Sequence, residues 1–185
     1  MSDIITAIKG QAANVASYYD GASFTVDDLV KRITLLMRHE LVSGGCQLKM
    51  EYEQAKDCVV QGDINNLVQV MNNLISNAIF AEKQTGGGVV TVTAEKDNDQ
   101  LVLSVKDTGP GVDPRVKAKI FKEMVTNKGN MGTGLGLYIS NAVVRGKFGG
   151  EVWLKDNPGG GSIFGVTIPL NQTEMTKEAA GGLSL

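Results

Sequence analysis

Apolar residues along this chain switch between two spacings, and the switches mark out its elements. Leu29, Val30, Ile33, Leu36, Met37 and Leu41 recur three or four apart. Either Ser23 or Thr25 can cap the helix they predict, and Gly44 with Gly45 ends it. Leu48, Met50 and Tyr52 then alternate as a strand does, and Cys58, Val59 and Val60 suggest a second, shorter one. Asp63 caps a long helix reaching about Ala81. VVTVTAEK and LVLSVKD alternate again, are rich in β-branched residues and are separated by DNDQ, so they predict an antiparallel hairpin. Asp113 and Pro114 open a short helix through Phe121, residues 122–131 read as a polar loop, and the glycines from Gly132 lead into another helix. GEVWLKDN and SIFGVTIPL predict two last strands around the turn at 158–161.

This order predicts an α+β fold: a two-layer α/β sandwich with a mixed, mostly antiparallel sheet and helices on one face. Residues 1–22 are weakly helical, with Ile4, Ile5 and Ile8 on one side and Gly10 weakening the helix, and read as a helical remnant or linker. Residues 23–170 form the folded unit, and residues 171–185 read as a flexible tail.

Composition narrows the partners. The 185 residues are 42% hydrophobic, enough for one core. Eighteen basic residues against twenty acidic ones, with no basic block, lack the footprint of a nucleic-acid or membrane-surface binder. Cys46 and Cys58 are too few for a disulfide framework, and no signal peptide or long apolar run occurs, so the expected compartment is the cytoplasm.

Three stretches carry candidate chemistry. Asn73 and Asn77 lie four apart on the long predicted helix and so share a face. Their carbonyl oxygens suit Mg²⁺, which takes hard oxygen ligands; they equally suit capping a neighbouring loop. In DTGPGV, Asp107 ends a strand, and Gly109 and Gly111 let backbone approach a flat ligand. An ionised carboxylate accepts only, which suits the exocyclic amino group of adenine and opposes the O6 of guanine; a plain hairpin exit is the other reading. In GTGLGLYIS, Gly132, Gly134 and Gly136 precede and enter a helix, where free N–H groups attract phosphate or where small residues allow close packing. Lys128, just upstream, can meet a terminal phosphate or stay solvated. His39, the single histidine, reads as structural.

Taken in order, these stretches resemble the N, G1, F and G2 boxes of the catalytic, ATP-binding domain of sensor histidine kinases, in the GHKL ATPase/kinase superfamily. Asn73, Leu74, Asn77 and Ala78 fit the N box; Asp107, Gly109 and Gly111 the G1 box; Ile120 and Phe121 the F box; Gly132, Gly134, Leu135, Gly136 and Leu137 the G2 box. Thr126, Asn127 and Lys128 stand where short ATP lids carry Thr-Thr-Lys.

The resemblance implies a Bergerat-type fold shared with gyrase and mismatch-repair ATPases, with ATP and Mg²⁺ as cofactors. It implies Asn77 as metal ligand, Asn73 and Lys128 at the phosphates in catalytic roles, and Asp107 on the adenine. Gly109, Gly111, Phe121, Gly132, Thr133, Gly134, Leu135, Gly136 and Leu137 are implied to line the nucleotide site. The implied reaction moves the γ-phosphoryl of ATP to a histidine on a separate phosphoacceptor domain, serving a response regulator indirectly, with the whole sensor either cytoplasmic or membrane-bound. Hydrolytic relatives carry Glu where this chain has Asn73, which disfavours a gyrase-like ATPase. Phe80 replaces a basic residue usual in such kinases, with Lys83 nearby, and the HEL string at His39 lacks the proline that follows an acceptor histidine. The chain therefore reads as a catalytic domain without its own phosphoacceptor. A non-catalytic nucleotide sensor and an anti-sigma-type serine kinase are the alternatives.

Overall fold

Thr25 does two jobs at the start of the fold. It ends strand β1 (Ser23–Thr25) and caps helix α1 (Val26–Ser43), its hydroxyl accepting from the Asp28 N–H while the Asp28 carboxylate accepts from the Thr25 N–H, 3.1 Å each. In this computed structural model, residues 22–123 and 135–170 are described. The readings placed on residues 1–21, 124–134 and 171–185 lie outside them.

Strand β2 (Gln47–Glu51), strand β3 (Val59–Gln61) and helix α2 (Ile64–Lys83, capped by Asp63) follow as the spacing predicts. Then come β4 (Val89–Asp97), β5 (Gln100–Lys106), α3 (Pro114–Lys117), α4 (Leu135–Phe148), β6 (Glu151–Asp156) and β7 (Ser162–Pro169). Two expectations need correction. The short strand β1, which pairs antiparallel with β3, goes unpredicted because three residues with one core side chain, Phe24, carry no period. Helix α3 ends at Lys117 rather than Phe121, because bonds from Lys119 N–H to the Val116 carbonyl and from Lys122 N–H to Lys119 replace helical ones with tighter turns.

The main sheet runs β2-β4-β5-β7-β6, with β2 and β4 parallel and every other pair antiparallel. The parallel pair needs a long crossover, and α2 lies within it. Strand alternation then sorts the side chains. Val90, Val92, Leu101, Leu103, Val105, Val166 and Ile168 are buried beneath Leu29, Ile33 and Met37 of α1, Met71, Leu74 and Ile75 of α2, and Val144 and Phe148 of α4. The opposite face is polar: Thr93 and Ser104 hydroxyls meet at 2.7 Å, and Trp153 lies across Gly165 and donates to the Thr167 hydroxyl at 2.9 Å. One buried face covered by helices is the expected two-layer sandwich. Among the described residues, no helix is long and apolar enough to cross a membrane.

Candidate functional site

Asn73, Asn77 and Ala81 form one line along α2, each four residues from the next, beside the buried stripe of Leu74, Ala78 and Glu82. Both ends of the line touch another element. Asn73 Nδ2 donates to Ser140 Oγ of α4 at 3.2 Å, and a Cβ built on Gly136 would overlap the Asn73 carboxamide. Eight residues on, a Cβ on Gly109 would fall 2.7 Å from Ala81 Cβ and 2.8 Å from its carbonyl. The first turn of α4 and the DTGPG turn therefore flank about 12 Å of helix, with half-buried Asn77 midway.

Asp107 follows the end of β5 and is 2% exposed. Its Oδ1 accepts from the Gly109 N–H at 3.0 Å and the Ser162 N–H at 3.2 Å. Among the described residues no hydrogen bond falls on Oδ2. Burial pushes the Asp107 carboxyl above the usual carboxylate range, the two N–H donors pull against it, and the nearby Glu82 charge pushes the same way as burial. The β6–β7 turn holds this residue from behind. Asn157 Nδ2 donates to the Asp107 carbonyl at 2.9 Å, Asp107 N–H donates to the Ser162 carbonyl at 3.0 Å, and Gly161, at φ +88°, leaves room where a Cβ would overlap the Asp107 backbone.

The remaining residues divide by position. Gly111, at φ +80°, passes the Gly161 carbonyl. The Phe121 ring stands edge-on to Phe164 with centroids 6.3 Å apart, and its carbonyl accepts from Asn141 of α4 at 3.2 Å. That places Phe121 on the core side of the segment and ties the segment to α4. Leu135 and Gly136 are half-buried and Leu137 is buried in the first turn of α4. Lys128, Gly132, Thr133 and Gly134 lie outside the described residues. His39 is exposed on α1. A separate apolar groove between α1 and β2, lined by Val30, Leu41, Leu48 and Met50, includes none of the residues along the Asn73–Asn77–Ala81 line or the Asp107 turn.

Sequence reasoning passed over Glu82, Asn157, Ser162 and Ser140. Glu82 had a signal: it continues the buried spacing of Met71, Ile75 and Ala78, where a carboxylate is out of place without partners. The others are single polar residues whose partners lie far away in sequence. As for metals, no group of three or more His, Cys, Asp or Glu side chains converges among the described residues. The donor set on the α2 face is amide oxygen, which suits an ion that keeps waters and phosphate oxygens as its other ligands, as Mg²⁺ does.

Comparison with known proteins points the same way as this geometry. The sequence profile of the histidine kinase-, DNA gyrase B-, and HSP90-like ATPases matches residues 62–172. Sporulation kinase C of Bacillus subtilis (strain 168) is 30% identical over 170 residues, covering 92% of this chain and 37% of that protein. Sensor protein TorS of Escherichia coli (strain K12) is 37% identical over 173 residues, covering 92% of this chain and 18% of that protein. The chain thus spans less than two fifths of either curated relative. Among solved structures, the nucleotide-free catalytic domain of histidine kinase ThkA is similar at a TM-score of 0.70 and 28% identity, covering 80% of this chain and 95% of that one. Full-length ShkA in complex with AMPPNP is similar at a TM-score of 0.70 and 27% identity, covering 85% of this chain and 33% of that one.

Proposed function

The chain belongs to the histidine kinase-, DNA gyrase B-, and HSP90-like ATPase family, as a catalytic domain of the sensor histidine kinase type, and from that premise we propose that it binds Mg·ATP along α2 and passes the γ-phosphoryl to a histidine on a separate phosphoacceptor domain. The observation that carries this reading is the line Asn73–Asn77–Ala81, which meets the first turn of α4 at one end and the Asp107 turn at the other.

Each group then has one task. Asp107 Oδ2 accepts from the adenine amino group, and Gly109 and Gly111 admit the base. Asn77 holds Mg²⁺, which neutralises phosphate charge when bound. Asn73 and the start of α4 face the phosphates, and Lys128, Gly132 and Gly134 are assigned to the same phosphates by their match to the lid and G2 motifs alone. In the transfer, the bond from Pγ to the departing ADP oxygen breaks as a bond from Pγ to the imidazole nitrogen forms, and the imidazole proton goes to water. The domain contributes positioning and charge, and an amide at Asn73 cannot act as a base toward water. The acceptor histidine lies on a separate phosphoacceptor domain, whether in the same polypeptide or in another. One similar structure pairs histidine kinase ThkA with a response regulator, and a comparable regulator is the indirect recipient here. Because ATP is the substrate, the site works on the cytoplasmic side.

The test supplies a helical phosphoacceptor domain in trans with Mg·ATP. Acid-labile, base-stable phosphate on that domain, with slow turnover by the chain alone, is the expected result. Acid-stable phosphate would indicate a serine kinase. Phe80, where a basic residue is usual, favours a second reading, a nucleotide sensor without transfer; bound ATP with no phosphate on any acceptor would select it.

A further inference from the structure

Glu82 is fully buried at the last turn of α2, and none of the ion pairs among the described residues involves it. A carboxylate in that position is costly unless several donors meet it. Among the described residues, the hydrogen bonds to its carboxylate come from one residue. Thr108 donates its N–H to Oε1 at 2.6 Å, and its hydroxyl lies 3.0 Å from Oε1 and 3.1 Å from Oε2. Thr108 stands between Asp107, whose Oδ2 accepts no hydrogen bond among the described residues, and Gly109, where an added Cβ would overlap Ala81. The chain also bends around Glu82 from the other side: its carbonyl accepts from the Gly87 N–H at 2.8 Å, and a Cβ on Gly88 would fall 3.0 Å from its Cδ.

Resting on the nucleotide reading above, we propose that Glu82 is a positioning residue for base recognition: through Thr108 it clamps the turn that carries Asp107 onto the end of the helix that carries Asn77. The clamp fixes the spacing between the oxygen that reads the adenine amino group and the oxygen that faces the metal. Glu82 is five residues from Asn77, about 7.5 Å along the same rigid helix, so a shift of the turn against α2 changes that spacing directly. A charge-assisted bond to a backbone N–H is the strong kind, and it tolerates little displacement. An apolar side chain would fill the space but leave the Thr108 N–H without its acceptor.

The experiment titrates the whole chain and its variants with Mg·ATP and with Mg·ITP, which lacks the amino group that Asp107 reads. The wild type is expected to prefer ATP. Glu82→Ala should weaken ATP binding about tenfold and bring the ATP-to-ITP preference close to one, because the loss is in aiming Asp107. Glu82→Gln, whose amide oxygen still accepts from the Thr108 N–H, should restore ATP affinity to within about threefold. Equal losses for both nucleotides, or an unchanged preference in Glu82→Ala, overturns the proposal. If Glu82→Ala does not fold, Thr108→Val decides: it removes only the hydroxyl donor and should lower ATP affinity a few fold while sparing ITP, and an unchanged preference there counts against the clamp. Absence of any nucleotide binding by the wild type would instead defeat the nucleotide reading itself, and this inference with it.

Discussion

Gly136 faces Asn73 so closely that a single methyl group on its α-carbon would overlap the Asn73 carboxamide, whose Cγ would lie 2.8 Å away. The glycine thus sets how near α4 can come to α2, and Asn73 fills the gap while donating to Ser140. Gly136→Ala adds helix propensity worth about 1 kcal/mol, but forcing the two helices apart costs about 1–3 kcal/mol. The variant is expected to be no more stable than the wild type despite the better helix former, and to lose nucleotide affinity. Thermal melts and titration with Mg·ATP check both.

Asp107→Asn separates stability from function. In the folded chain the Asp107 carboxyl titrates above its ordinary range, chiefly because of burial. A raised carboxylate pKa means that the folded state favours the protonated form. Its stabilising contribution is complete below the unfolded pKa and is lost as pH rises through the folded one. At neutral pH the ionised group therefore costs stability, and asparagine, which can keep the bonds from Gly109 and Ser162, removes that cost. The variant should melt at a higher temperature than the wild type at pH 7, with the gap closing below pH of about 4. It should also bind ATP ten- to a hundredfold more weakly, on the order expected when a site loses a charged acceptor.

Much of this is legible in the sequence because the elements that carry Asn73, Asn77 and Asp107 are long and periodic. The α2 stripe, the β4–β5 hairpin and the β6–β7 pair follow from side-chain spacing alone, and the shared face of Asn73 and Asn77 follows from helix geometry. What stayed hidden depends on contacts across the chain. Asn157 reaches Asp107 over fifty residues, and Glu82 reaches Thr108 over twenty-six. Local pattern carries no trace of such pairs. Gly136 shows the intermediate case: a glycine at a helix start suits a phosphate cradle or a packing position, and the described geometry gives it a packing contact with Asn73.

Asn77→Ala tests the metal assignment without relying on turnover. If the carboxamide oxygen is a Mg²⁺ ligand, its loss should weaken Mg·ATP binding about tenfold while leaving metal-free ATP binding nearly unchanged, since one ligand of an ion that keeps several waters is replaced by water. Calorimetric titration with and without Mg²⁺ reads the ratio. Equal loss under both conditions would make Asn77 a packing residue instead.

Asn157 offers a test that reverses sign with chemistry rather than with size. Its Nδ2 donates to the Asp107 carbonyl at 2.9 Å, and the residue is 6% exposed. Asn157→Ala removes the donor and leaves a buried carbonyl unpaired, a loss of about 1–3 kcal/mol. Asn157→Asp has nearly the same shape but places a second acceptor against that carbonyl, and a negative charge beside the Asp107 carboxylate. At pH 7 it should be less stable than Asn157→Ala. The introduced carboxylate, disfavoured when ionised, has its folded pKa raised, so its penalty applies above that pKa and fades as pH falls below the unfolded value of about 3.9. Protonated, it regains an O–H that can donate to the same carbonyl. The order of the two variants should therefore invert between neutral and strongly acidic pH, which urea melts across that range would detect; parallel curves would mean that the Asn157 bond does not hold Asp107 in place.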